Sequence, residues 1–107
     1  MRDINEAGTA APRFGTMSQE ELMTFWGRYH RATRKDAEAL VGRRPGFTVL
    51  AAKLANYACN RAVALSCRES GNIPGALVYE HAMGLILEGL PEDLLLTFGL
   101  QRARSSG

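Results

Sequence analysis

Apolar positions recur at three-to-four-residue spacing along most of the chain, and no run alternates strictly between apolar and polar. That rhythm predicts an all-α fold. The strongest signal lies between Thr48 and Pro91, where two apolar-rich stretches meet at Ser70-Gly71-Asn72-Ile73-Pro74. Gly71 suits the position after a helix end, Asn72 is a good N-cap, and Pro74 falls in a first turn where its missing N–H costs nothing. These signals predict two helices joined by a tight turn, and the expected architecture is a bundle of three long helices plus a short C-terminal one.

Within that hairpin the first arm, capped by Thr48, runs to Gly71 and carries Ala51, Ala55, Ala58 and Ala62 in one stripe that allows close helix approach. Leu50, Leu54, Tyr57 and Leu65 lie beside the stripe, and Lys53, Asn56 and Asn60 form a narrow polar strip. The second arm runs from Asn72 to about Gly89. Ala76, Val78, Tyr79, Ala82, Met83, Leu85, Ile86 and Leu87 fill more than half of its circumference, and Glu80, His81, Gly84 and Glu88 mark its polar edge. So apolar a helix needs neighbours on two sides or a partner chain. A helix-turn-helix within the first arm is disfavoured, because no Gly breaks the run and the alanine periodicity continues through it.

Upstream, Ser18 and Glu21 form a capping box, with Met17 and Leu22 as a hydrophobic staple. They open a helix expected from Gln19 to about Val41. Leu22, Phe25, Trp26, Tyr29, Thr33, Ala37 and Leu40 share one side, while Arg28, Arg31, Arg34, Lys35 and Glu38 share the other. Gly42-Arg43-Arg44-Pro45-Gly46 ends it. Pro91 at a helix start, with Glu92 and Asp93 after it, opens the short last helix, whose Leu94, Leu95, Leu96, Phe98 and Leu100 either fold back on the core or meet another subunit. Residues 1–16 are expected to form a flexible arm, with Met17 as an alternative start; residues 17–100 form a single helical domain, and residues 101–107 a disordered tail.

Composition narrows this only modestly. A chain of 107 residues with 46% hydrophobic content supports one small core, for which oligomerisation would be a help. The net charge of +2 does not by itself argue for nucleic acid. Cys59 and Cys67, eight residues apart on one expected helix, would sit about 12 Å apart at a rise of about 1.5 Å per residue, beyond disulfide reach. Reduced cysteines, no membrane-length apolar run and no apolar leader segment lead to the expectation of a soluble cytoplasmic protein with no membrane partner.

Gly71-Asn72-Ile73-Pro74-Gly75-Ala76-Leu77-Val78-Tyr79-Glu80-His81-Ala82 resembles the turn and second helix of a tetratricopeptide repeat. The match is partial, since Ala82 comes six residues after Ala76 where the repeat has seven, and the chain holds no second copy. Over a longer span, FWGRYHRAT, AAKLANYACNRAVALSCRESGNIPGALVYEHAM and GLPED, between Phe25 and Asp93, are similar to small helical proteins of unknown function from bacteriophage and bacterial genomes. That resemblance implies a phage or mobile-element setting and supplies no catalytic residues.

Candidate chemistry is sparse. The two histidines, His30 and His81, are expected as a surface and a half-buried polar residue, and no ligand spacing marks a metal site. Cys59 has no indicated base. Glu80 and Glu88 are expected to pair with Arg61 and Arg68 across the hairpin, Arg61 with Glu80 being the more buried pair. No catalytic residue, cofactor or metal is assigned, and the protein is expected not to be an enzyme. The basic set Arg28, Arg31, Arg34, Lys35, Arg43 and Arg44 is the candidate phosphate-binding face. Tyr79, Met83, Ile86, Leu87, Leu94, Leu95 and Phe98 are the candidate interface.

The function expected from these features is a non-enzymatic protein-protein interaction or adaptor role, with self-association into a homo-oligomer. The alternatives are a nucleic-acid-binding or regulatory protein using the basic face, and a phage-encoded inhibitor of a host defence system or host enzyme.

Overall fold

The computed structural model describes residues 13–102, and the described residues form helices with no strand. A single 3₁₀ turn, Phe14–Thr16, precedes five α-helices: α1 Gln19–Tyr29, α2 Arg34–Val41, α3 Phe47–Glu69, α4 Ile73–Glu88 and α5 Glu92–Thr97. The long α3 is the axis of the molecule, with α1, α2 and α4 all packed on it. No helix among the described residues is long and apolar enough to cross a membrane.

The expected capping box is present: the Ser18 hydroxyl accepts from the Glu21 N–H at 3.1 Å, and the Glu21 carboxylate accepts from the Ser18 N–H at 2.8 Å. The helix it opens is shorter than expected. Instead of continuing to Val41 it stops at Tyr29, and α2 restarts at Arg34. Thr33 is the cause. Its backbone is extended, and its hydroxyl accepts from the Asp36 N–H at 3.1 Å, so it caps a new helix rather than continuing the old one. Apolar positions on both sides of the break stay buried, Leu22 and Phe25 on α1 and Ala37 and Val41 on α2, while Thr33 between them is exposed.

The hairpin matches the sequence closely. All four alanines of the α3 stripe are buried, and Leu54 and Tyr57 join them. Gly71 has φ of 82°, and the Asn72 and Gly71 N–H groups donate to the Cys67 and Arg68 carbonyls at 2.8 and 3.1 Å. These two bonds form a Schellman stop, which requires the left-handed residue between them. Asn72 caps α4 by accepting from the Gly75 N–H at 3.0 Å. At the other end of α3 the cap is Gly46 and not Thr48, which lies inside the first turn and makes no capping bond.

Both chain ends of the described region are tied in. Phe14, expected in the flexible arm, is completely buried; its ring meets Phe25 edge-on at 4.9 Å, Tyr57 at 5.4 Å and Phe98 at 5.8 Å, and its N–H donates to the Phe98 carbonyl. An aromatic side chain of that size gains more from burial than the arm's Gly and Pro content can offset. The rest of the expected arm, 1–12, lies outside the described residues. Arg102, expected in the tail, donates to the Leu87 carbonyl at 3.2 Å and the Leu90 carbonyl at 2.5 Å, and pairs with Glu92. It supplies the positive charge that the end of α4 lacks in its own last turn. Residues 103–107 lie outside the described residues.

Leu94, Leu95 and Phe98 fold back on the core with Leu90 and Leu100. A second Schellman stop ends α5: the Leu100 N–H reaches the Leu95 carbonyl at 2.7 Å across Gly99, whose φ is 69°.

Candidate interaction surface

Because α4 is apolar around most of its circumference, α3 can cover only part of it. Ala76 and Leu87 are buried against the bundle, and Met83 and Ile86 pack on the core from a half-buried position. Tyr79, at 37% exposure, stands at the boundary. These positions are separated by three or four residues and define the inward stripe of the helix. The outward stripe is therefore Leu77, Val78 and Leu85, exposed at 54%, 66% and 57%, with His81 between them and Ile73 at the helix start.

The seven residues expected at an interface thus separate. Leu87, Leu94, Leu95 and Phe98 are core residues of the same chain. Met83 and Ile86 lean on that core, and Tyr79 alone is substantially accessible. The uncovered side chains are their neighbours. The spacing of Ala76, Tyr79, Met83 and Leu87 could have identified them, because the stripe that best continues at three-and-four spacing is the one the alanine-lined α3 takes up.

The basic set is also divided by the fold. The break between α1 and α2 puts Arg28, Arg31, Arg34 and Lys35 near the start of α2, whereas Arg43 and Arg44 come after its end; eight residues of helix make this about 12 Å of axial separation. Three of the six have local roles. The Arg28 guanidinium lies 5.1 Å from the Tyr29 ring centre, and that of Arg34 lies 5.1 Å from the Phe47 ring centre. Arg44 makes a two-pronged bond to Asp93, at 3.2 and 2.5 Å, which ties the α2–α3 loop to α5. That contact raises the Arg44 pKa further and holds the Asp93 carboxyl below its ordinary value. Arg31, Lys35 and Arg43 are exposed and make no ion pair among the described residues.

Across the hairpin the ion pair differs from the one expected. Arg68, not Arg61, binds Glu80, through two bonds of 2.6 and 2.8 Å, and this hydrogen bonding holds the Glu80 carboxyl below its ordinary value. Arg61 instead points towards Tyr57 and α5, and its Nε is buried with no hydrogen-bond partner among the described residues. The histidines exchange their expected places. His30 is half-buried, stacked on the Trp26 ring at 4.1 Å with Nδ1 2.8 Å from the Trp26 carbonyl, and His81 is exposed. Both cysteines lie on α3, as expected, and are free thiols. Comparison with protein-family models, with curated protein sequences and with solved structures gives no match to this chain.

Proposed function

We propose that the chain is a protein-interaction module that self-associates through the outward face of α4. The observation that carries this is the row Leu77, Val78 and Leu85, three aliphatic side chains each more than half exposed on one face of one helix. Scattered exposed apolar residues need no explanation, but a contiguous row on a single face is the usual mark of an interaction site.

A second copy is the occupant that fits. Leu77 and Leu85 stand four residues on either side of His81. Two copies of α4 crossing antiparallel about a two-fold axis at His81 would place each Leu77 against Leu85 of the other copy, and Glu88 opposite the uncharged Pro74. An isologous interface needs this self-complementarity. The six half-exposed aliphatic side chains of such a dimer offer roughly 1.5 kcal/mol each, about 9 kcal/mol together. Association costs at least about 4 kcal/mol, so the dimer is expected to be weak, forming at high micromolar or greater concentration.

Sedimentation velocity between about 10 μM and 1 mM tests this. Mass rising towards a dimer, and reverting to monomer in Leu77→Glu, supports the proposal. A monomer throughout contradicts it. Retention on a duplex DNA or RNA column that falls steeply with salt, in a chain that stays monomeric, would shift the function to Arg31, Lys35 and Arg43.

A further inference from the structure

A cleft of about 350 Å³ opens between the Phe14–Thr16 turn, α3 and the end of α5, away from the outward face of α4. Its polar lining comes from Arg13, Tyr57, Arg61 and Gln101, and Leu95, Leu96 and Leu100 form an apolar wall. Among the described residues no carboxylate lines it. Two guanidinium groups thus line one cleft, a set of charged donors that suits an anion.

Each cation is held in place. Arg13 lies against the Gly99 backbone so closely that a Cβ there would be 2.9 Å from the guanidinium carbon, so Gly99 serves both the left-handed turn and the seat of Arg13. Arg61 projects from α3, the most extensively packed helix, and its Nε is a buried donor with no partner among the described residues. An orphaned buried N–H is costly and rare. Tyr57 adds a hydroxyl: burial pushes its phenol up and the neighbouring Arg61 only partly offsets this, so the group stays protonated and able to donate at neutral pH.

We infer that this cleft binds a small organic anion, its carboxylate or phosphate headgroup held by Arg13 and Arg61 and its apolar body against Leu95, Leu96 and Leu100. The volume lies at the lower end of the range of small-molecule sites, which suits a ligand of one ring or a short chain. The charged donors are N–H groups with no acceptor capacity, which favours oxyanions over cations or neutral amides.

The test is a titration of the ¹⁵N-labelled full chain, following the Arg61 Nε–H resonance, with benzoate, acetate and inorganic phosphate, each against sodium chloride of equal ionic strength. A saturable shift with benzoate at lower concentration than with acetate supports a carboxylate ligand and use of the apolar wall. Saturation by phosphate at lower concentration than either assigns the headgroup to phosphate. Arg13→Gln, at an exposed position, should weaken the tighter ligand by about tenfold or more, while Arg43→Gln should leave it unchanged. Arg61→Gln, checked for folding by circular dichroism and followed through the Gln101 backbone amide, should abolish the saturable phase. Shifts that do not saturate, that chloride reproduces, or that survive Arg13→Gln overturn the inference.

Discussion

Phe14 shows how a single side chain can decide the fate of a segment. The composition of residues 1–16 reads as a flexible arm, yet one aromatic ring at the centre of the Phe25, Tyr57 and Phe98 cluster fixes the chain from there onward. Phe14→Ala should therefore destabilise the protein by about 3–5 kcal/mol, as for other buried aromatics, measured by urea denaturation; an effect near zero would place Phe14 in the arm after all. Thr33 is a comparable case. It lies on the apolar side of the wheel, so periodicity absorbs it into one long helix, although Thr33-Arg34-Lys35-Asp36 also has the spacing of a cap. Thr33→Ala should cost about 1 kcal/mol, and Thr33→Ser should restore most of it.

Among the elements, the hairpin was the most legible because its turn chemistry is unambiguous: only Gly71 can take φ of 82° cheaply, and Asn72 caps the helix after it. Side-chain partners across it were not legible. Arg61 and Arg68 are both plausible partners for Glu80 from spacing alone, and the rotation of α4 against α3 decides for Arg68. The two exposed pairs, Arg68 with Glu80 and Arg44 with Asp93, join different elements, and their pH dependence has a definite sign. Both carboxyls lie below their ordinary values of 4.5 and 3.8 in the folded chain. Their contribution is therefore complete above those values and is lost as pH falls through and below them. Urea denaturation at pH 7 and pH 3 should show a smaller loss of stability in Glu80→Gln/Asp93→Asn than in the parent chain. An equal loss would assign acid sensitivity to other groups.

For the whole molecule, apolar excess was evident from the sequence, but its direction was not. The sequence places that excess on two helices; the fold uses Leu94, Leu95 and Phe98 to close the core around Phe14 and leaves Leu77, Val78 and Leu85 uncovered. The anion-binding cleft had no signal in the sequence, because Arg13, Tyr57, Arg61 and Gln101 come from three separated segments that only the fold brings together. The titration of Arg61 tests that cleft independently of any association. The most direct test of the self-association itself is the weight-average mass by sedimentation across about 10 μM to 1 mM, for the parent chain and for Leu77→Glu and Leu85→Glu. The parent should approach the dimer mass at the upper end and both variants should remain folded monomers; a parent chain that stays monomeric throughout, or variants that associate as the parent does, would contradict it.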